Sequence, residues 1–529
     1  MDDPTVPVPP MRWDGWGDSA QTTELSPTQL ALVRDALKVT PVPSLERQDV
    51  RLRRSALTTE LRDALVAIVG EAHVGTADAD RLPRAGGKST VDLLRRKASG
   101  EQDAPDAVVL PGSEAEVAAV LALCGEHRIA VVPFGGGTSV VGGLDPIRDR
   151  FAAVISLDLR RFDRLESLDE VSREAVLGAG LPGPEAEWLL AERGFELGHY
   201  PQSFRYATIG GFAATRSSGQ DSAGYGRFDE MVRGLRVVTP IGTVEVGSPA
   251  PKTAAGPDLR QLFLGSEGVF GVITAVRVRV HPVPESKRYE AWSFPDFATG
   301  AAALRTVTQL GTGATVLRLS DEVETALNLA TGSSDAAPSG CLAITAFEGS
   351  EPVAKARHAA TAKVLRDCGG TSLGAELAEQ WAAHRFDGPY LRDPLLAEGA
   401  LVETFETATS WTNLIALKQA VTETAQAAFD GPSLVLCHIS HVYDTGASLY
   451  FTVVGAQRGD AVAQWRAIKA KINDALVAQQ ATITHHHAVG ADHRDWMTAE
   501  VGTVGVAVLR AVKATLDPAG ILNPGKLVP

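Results

Sequence analysis

A chain of 529 residues is too long for one hydrophobic core and predicts two or three domains. It is 44% hydrophobic and 22% charged, as globular proteins are, and its formal net charge is −14. An acidic chain without a Lys/Arg stripe excludes a nucleic-acid partner, yet leaves room for an anionic small ligand held by local positive charge. Cys124, Cys341, Cys368 and Cys437 are far apart and form no CxxC pair, which fits a reducing compartment rather than a disulfide framework or thiolate zinc site. The first twenty residues are acidic and Pro-rich, without the basic and apolar regions of a signal peptide. No run of about 18 apolar residues exists, so the expectation is a cytoplasmic protein.

In chain order, residues 1–103 read as a Pro-rich arm followed by Arg- and Leu-rich helices such as "TTELRDALVAIVGEAH". From 107, "AVVLP" predicts a short buried strand. "SEAEVAAVLALCGEHR" predicts a helix opened by a capping box, Ser113 with Glu116, and carrying Val117, Val120, Leu121 and Cys124 on one face. "IAVVPF" is the next strand, completing a β-α-β unit. "FAAVISLDL", "EAVLGAG", "GLRVVTPIGTVEV" and "GVITAVRVRVHPV" follow as strands, the last two alternating as half-buried strands do. Prolines in "HPVPE" mark a boundary near 284. Residues 285–480 mix strands ("CLAITAFEG", "SLVLCHISHVY", "SLYFTVVG") with amphipathic helices ("GDAVAQWRAIKAKINDALVAQQ"), an α+β domain. The chain closes with a helix and a Pro/Gly-rich tail.

The strand "IAVVPF" delivers "GGGTSVVGGL", five glycines within nine residues. Backbone N–H groups in such a turn form a nest for an anion, and glycine removes the Cβ that would block phosphate oxygens. Gly135, Gly136, Gly137, Gly142 and Gly143, with the hydroxyls of Thr138 and Ser139, therefore read as a pyrophosphate cradle. For one such loop alone, a plain glycine-rich bend is the simpler reading. A dinucleotide GxGxxG turn is excluded because "VVGGLDP" does not continue as a helix. A P-loop at "GGKS" (86–89) fails because Leu82 stands where its first glycine belongs. Two further Gly/Ser/Thr-rich segments, "PQSFRYATIGGFAATRSSG" (201–219) and "GSEGVFGVI" (265–273), sit in the same strand-rich region. Three loops of one composition suit one long ligand, a dinucleotide with two phosphates, a ribityl chain and a ring system.

These segments resemble the FAD-binding domain of the vanillyl-alcohol oxidase flavoproteins, and within that group they are most similar to the alkyldihydroxyacetonephosphate synthases. The matching residues run from "MRWDGWGD" to "LDPAGILNPGKL", with "TIGGFAATRSSGQDSAGYGR", "PYLRDPLL…FETATSW" and "THHHAVG" as the branch-specific parts. The resemblance implies an α+β fold: a two-subdomain, PCMH-type FAD-binding domain, an α+β cap, and a C-terminal tail returning to the FAD domain. The boundaries are then 1–103 (arm and helices), 104–284 (FAD-binding domain), 285–480 (cap and substrate domain) and 481–529 (active-site loop and tail). It implies non-covalent FAD held by Pro133, Phe134, Gly135, Gly136, Gly137, Thr138, Ser139 and Gly142. The second loop adds Pro201, Gln202, Ser203, Thr208, Gly210, Gly211, Thr215, Arg216, Ser217 and Ser218. The third adds Glu267, Gly268, Val269, Gly271, Val272 and Ile273.

The chemistry-bearing residues are fewer. His485, His486 and His487 are three of the twelve histidines. In an extended segment His485 and His487 share a face and His486 points away. Three readings stay open for the run: a protic cluster beside the flavin, a metal site completed by His438 and His441, and a solvated surface run. The first leads, with no metal. Tyr450 lies in an apolar strand, where a buried tyrosine is ordinarily packing. By resemblance it moves a proton at the substrate carbon, provided neighbouring positive charge lowers a pKa near 10. Arg392, in "PYLRDP", matches a substrate-phosphate-binding arginine, and its alternative is an ion pair with Asp393. Arg318 is a second candidate for the substrate.

The resemblance implies exchange of the acyl chain of acyl-dihydroxyacetone phosphate for a long-chain alcohol. A proton leaves C1, the fatty acid departs, the carbon is held on flavin N5, the alcohol adds, and FAD ends oxidised. It also implies a lipid-like substrate in an apolar tunnel, peripheral membrane contact and a homodimer. The rival reading is an FAD-dependent dehydrogenase or oxidase of a 2-hydroxy acid or alcohol, because one fold hosts both chemistries. Two features depart from the family pattern: Ala488 follows the histidine run in place of glycine, and His438 and His441 stand where other residues are expected.

Overall fold

The computed structural model describes residues 8–18, 23–43, 45–98, 101–330 and 340–529; the first seven residues of the arm lie outside that set. The elements used below are α1 (Thr90–Ala98), β1 (Ala107–Val109), α2 (Glu114–His127), β2 (Ile129–Phe134), β3 (Ala153–Asp158), β4 (Leu165–Asp169), β5 (Glu174–Gly178), α3 (Ile209–Thr215), β6 (Val232–Thr239), β7 (Gly242–Val246) and β8 (Val272–Arg279). They continue with β9 (Ser286–Phe294), β10 (Val316–Ser320), β11 (Cys341–Gly349), α4 (Gly388–Ala397), β12 (Ala400–Ser410), β13 (Ser433–Ile439), β14 (Gly446–Ala456), α5 (Ala461–Ala478) and α6 (Met497–Leu516).

The first subdomain is a four-stranded sheet ordered Val74–Gly75, β1, β3, β2, with β1, β3 and β2 parallel. Helix α2 covers it by burying Val117, Val120, Leu121 and Cys124, all at 0% exposure; each such side chain contributes roughly 1.5–3 kcal/mol. Its cap is half of the expected box. Ser113 Oγ accepts the Glu116 amide at 3.2 Å, but the Glu116 carboxylate accepts the Gly112 amide at 2.7 Å, one residue before the N-cap. The second subdomain is a five-stranded antiparallel sheet, β7-β6-β8-β5-β4, packed on α3 through Phe212, Leu177 and Val276.

The cap is an eight-stranded antiparallel sheet in the order Thr371–Gly374, β9, β11, β10, β13, β14, β12, with Val442–Tyr443 pairing on β14. Its core gathers Trp292, Phe405, Phe451 and Trp465. β12 and β14 pair over all eleven residues, with Glu406 opposite Tyr450. The tail returns to the FAD subdomains. Val131 of β2 donates to Ile521 O and accepts from Asn523 N, both at 2.8 Å, while Ile521 and Leu522 join the first core. The final helix, α6, starts earlier than its apolar pattern suggests and is broken at Gly502 (φ 73°, ψ 165°).

Candidate active site

The three glycine-rich segments converge. A Cβ on Gly136 would overlap the Tyr206 carbonyl oxygen, and one on Gly135 would strike the Thr208 hydroxyl, so the first loop lies directly on the second. Gly137 holds φ 72° and Gly142 φ 68°, the left-handed region that side chains resist. Gly143 donates to Ser139 Oγ at 3.0 Å and packs near Glu267, while Gly268 lies against Pro133, joining the third loop to the first. Asn523 Nδ2 clamps the carbonyls of Gly143 (3.1 Å) and Glu267 (2.7 Å) from the returning tail.

Thr208 caps α3 by accepting the Gly211 amide at 3.3 Å. Gly210 packs against Ala179, Gly271 against Val237, and Ser203 O accepts the Tyr206 and Ala207 amides. Gln202 Oε1 accepts from Gln220, and Pro201 is buried beside it. Arg216 caps α3 in the left-handed region (φ 49°) and spends its guanidinium on Leu264 O, Asp229 and Gln261. Val269, Val272 and Ile273 send their side chains into the cores. Burial pushes the Glu267 carboxyl up to about 7, although it accepts the Val489 and Gly490 amides at 3.1 and 2.9 Å. The residues fit FAD: three touching glycine-rich loops that carry the Thr138 and Ser139 hydroxyls and, in the third loop, a buried and unpartnered Ser266 hydroxyl suit an anionic dinucleotide.

The protic layer lies over this cradle. Ser218 Oγ, at the end of the second loop, is 3.0 Å from His441 Nδ1, and Ser222 Oγ is 2.7 Å from it. A cleft of about 190 Å³ is lined by Thr215, Arg216, Gly265, His485 and Val489. The Tyr450 ring is flanked by two near-parallel imidazoles, His438 at 4.9 Å and His486 at 6.0 Å, each tilted by 17°. His487 meets its edge at 5.6 Å. Each flanking imidazole is backed by a buried carboxylate: His438 Nδ1 lies 2.9 Å from Glu324 and His486 Nδ1 3.5 Å from Glu406.

The alternation expected for 485–487 is not what the backbone does. Glu406 accepts the amides of both His485 (2.5 Å) and His487 (2.9 Å), bending the segment around one carboxylate, so His485 and His486 bring their Nδ1 atoms to 3.0 Å. Nor is the layer cationic. Burial lowers His485, His486 and His487 to about 3 and holds His441 well below its ordinary value. Tyr450, instead of being lowered, is pushed up by burial to about 12. The nitrogens of His441, His485 and His486 lie within 4.8 Å of one another, a donor set with metal-site spacing. Protein partners already engage them, including Tyr443 OH at 2.6 Å from His485 Nε2.

Arg392, on α4, is not a surface ion-pair residue. Its side chain is 11% exposed, its Nε lies 3.7 Å from Asp393, its Nη1 donates to Lys88 O at 2.6 Å, and its buried Nε and Nη2 have no hydrogen-bond partner. Asp393 Oδ2 accepts the Trp16 amide at 2.6 Å, while its Oδ1, the oxygen that ion-pairs with Arg392, has no hydrogen-bond partner. The Trp16 contact belongs to a strap, residues 11–18, which also takes Tyr206 OH through the Asp18 amide and the Lys88 ammonium through Arg12 O. Arg318 reaches the layer only through partners, donating to Glu324 (2.6 Å) and lying 3.0 Å from His438 Nδ1. Sequence reasoning missed Glu324, Glu406 and Lys88. The one available signal for Glu406 was an acidic pair, Glu403 and Glu406, inside the otherwise uncharged strand "ALVETFETATS".

Cradle, cap and returning tail define an FAD-linked oxidase-type flavoenzyme. The family model for the FAD binding domain matches residues 105–248, and that for the FAD linked oxidases, C-terminal domain, matches 283–527. The chain is 32% identical to an alkyldihydroxyacetonephosphate synthase of Trypanosoma brucei brucei, covering 98% of this chain and 92% of that one. It is 31% identical to the synthase of Dictyostelium discoideum, covering 98% and 93%. A mitochondrial D-lactate dehydrogenase [cytochrome] of Arabidopsis thaliana is 29% identical over 80% of this chain and 74% of its own. A solved alkyldihydroxyacetonephosphate synthase superposes with a TM-score of 0.84 at 29% identity, over 97% of this chain and 98% of that one. The substrate-bound p-cresol methylhydroxylase, at 15% identity and a TM-score of 0.69, shares the fold. The chain belongs to the alkyldihydroxyacetonephosphate synthase family and is an FAD-dependent, alkylglycerone-phosphate synthase-like enzyme.

Proposed function

We propose that this enzyme exchanges the acyl chain of acyl-dihydroxyacetone phosphate for a long-chain alcohol, releasing a fatty acid and forming an ether. The observation that carries the reading is Arg392, whose guanidinium has two buried nitrogens without a hydrogen bond, on the helix that leads into β12 and close enough to Tyr450 for its charge to be felt there. A buried cation with free donors calls for an anion, and its planar fork suits a phosphate. Asp393 lies 3.7 Å from Arg392 Nε, beyond hydrogen-bond reach, so it balances the charge without filling the donors.

The three glycine loops, with the hydroxyls of Thr138 and Ser139, would hold FAD. When bound, it supplies an electron-rich centre that lets one carbon exchange substituents without net redox change. The chain's own residues handle the rest. Arg392 fixes the substrate phosphate. A neutral imidazole of the 485–487 run, kept unprotonated at neutral pH by burial, accepts the C1 proton and later returns it. Tyr450, protonated throughout the neutral range, donates a hydrogen bond to the departing carboxylate or incoming alkoxide. Burial keeps water from competing with the alcohol.

Two long apolar chains on the substrates support peripheral membrane contact, and family kinship supports a homodimer; vesicle sedimentation and light scattering test these. Among the described residues no helix is long and apolar enough to cross a membrane. The decisive experiment incubates the purified flavoprotein with acyl-dihydroxyacetone phosphate and hexadecanol. Alkyl-dihydroxyacetone phosphate with no oxygen uptake is the expected result. Bleaching of the flavin by a D-2-hydroxy acid, with no ether formed, overturns it in favour of a dehydrogenase.

A further inference from the structure

Glu406 is assigned nothing above beyond its contacts, yet no side chain in the layer is more engaged. Its Oε1 accepts the Thr484 hydroxyl at 2.6 Å and the His487 amide at 2.9 Å; its Oε2 accepts the His485 amide at 2.5 Å. It stands opposite Tyr450 across the β12–β14 ladder and is 2% exposed. The basic groups within ion-pair distance of it are imidazoles, His486 Nδ1 at 3.5 Å and His487 Nδ1 at 3.9 Å. Arg227, His493 and Tyr450 feel its charge from other elements. Burial opposes its ionisation, but the positive charge that His486, His487 or His485 carries when protonated, with the Thr484 hydroxyl, pulls it below the usual carboxylate range, so the carboxylate and the imidazoles titrate as one coupled group. A buried anion held by amide and hydroxyl donors, with no lysine or arginine among the described residues within ion-pair distance, is an expensive arrangement to keep without a use.

Its neighbours constrain the tautomer of His486. One hydrogen lies between His486 Nδ1 and His485 Nδ1, 3.0 Å apart; placed on His486 it also faces Glu406 Oε2 at the ion-pair distance of 3.5 Å, whereas placed on His485 it faces away from that carboxylate. With the hydrogen on His486, His485 carries its own on Nε2 and Tyr443 OH accepts from it as well as from Arg227. That assignment leaves His486 Nε2 with a free lone pair. The arrangement follows the logic of a carboxylate that orients an imidazole and balances the charge it acquires.

We propose that Glu406 is the positioning residue of the proton-transfer step. It fixes His486 as the Nδ1–H tautomer and provides the counter-charge for the imidazolium formed when Nε2 takes the proton. The carbon–hydrogen bond breaks, its electron pair stays with the substrate carbon, and the proton rests on His486 until it is returned. This rests on the ether-exchange reading for its substrate, but the tautomer claim does not.

The test uses the FAD-loaded full chain with Glu406→Gln, which keeps an acceptor oxygen and loses the charge, and Glu406→Asp, which keeps the charge. Glu406→Gln is expected to lower kcat and the exchange of C1 hydrogen with solvent about 10²-fold, with KM within threefold. Glu406→Asp is expected to recover at least a tenth of the wild-type rate. In histidine-labelled wild-type protein, the His486 resonances, assigned through His486→Gln, are expected to report Nδ1–H, and in Glu406→Gln a mixture. A Glu406→Gln enzyme with wild-type kcat, or a wild-type Nε2–H tautomer at His486, overturns the proposal. So does loss of FAD in both variants, which would make Glu406 a structural residue only. If wild-type protein forms no ether and exchanges no C1 hydrogen, the ether reading fails, and the tautomer measurement still decides the role of Glu406.

Discussion

The FAD cradle is made of backbone, and the layer above it of side chains. In the cradle, Gly135, Gly136 and Gly268 are there because a Cβ would collide with the neighbouring loop. Its polarity comes from amides that need no side chain and no titration. The layer places Tyr450 between His438 and His486 and backs each imidazole with a buried carboxylate from a different element, Glu324 and Glu406. Its polarity is tunable because every member titrates. The difference teaches that the cradle tolerates little change in shape and much in charge, whereas the layer tolerates the reverse.

Gly136→Ala breaks the comparison most severely. The added methyl overlaps the Tyr206 carbonyl, and backbone on both sides has nowhere to move. The expected outcome is protein that purifies with less than a tenth of the wild-type flavin absorbance; full FAD occupancy would mean the loops are not in mutual contact. Tyr450→Phe is the matching change in the layer. It alters no shape, so flavin content should be unchanged, while steady-state kcat falls roughly 10²–10³-fold through loss of one positioned donor. Because Tyr450 is pushed up to about 12, the wild-type rate should show no basic limb from this residue between pH 7 and 9.

The same contrast governs what the sequence made legible. Glycine clustering is local, so the loops at 135–143, 201–219 and 265–273 are recognisable from composition alone, and the strands that carry them follow from alternation. The layer's partners are remote: His485 meets Glu406 across 79 positions and His438 meets Glu324 across 114. No spacing rule connects them, and only strand register puts Glu406 opposite Tyr450. The expectation of a cationic layer failed for a related reason, since burial, which sets the sign, is a tertiary quantity. "GGKS" is an instructive middle case. It is no P-loop, yet a Cβ on Gly87 would overlap the Ser139 carbonyl, which accepts the Lys88 amide at 2.6 Å, so the segment buttresses the cradle.

Arg392→Lys sharpens the comparison where the two regions share one ligand. Lysine keeps the charge but loses the planar fork, and the shorter reach leaves the Lys88 carbonyl unpaired. The expected change is a KM for the phosphate-bearing substrate raised about 30–100-fold, about 2–3 kcal/mol, with kcat within a few-fold. An unaltered KM would remove Arg392 from the substrate site.

Glu267→Gln tests whether charge in the cradle is dispensable, as a backbone-built site implies. Burial raises the Glu267 carboxyl from 4.5 to about 7 while it accepts two amides. Because its folded-state pKa lies above the unfolded value, its contribution to stability is fully present below pH 4.5 and is lost as pH rises through 7. A glutamine keeps an acceptor for one amide and never ionises. The difference in unfolding free energy between Glu267→Gln and wild type, measured on FAD-saturated protein, should therefore shift in the variant's favour by about 2 kcal/mol between pH 5 and 7. A difference that stays constant with pH would mean Glu267 is ionised at both ends of that range. The cradle would then depend on a fixed negative charge as the layer does, and the division between the two regions would not hold.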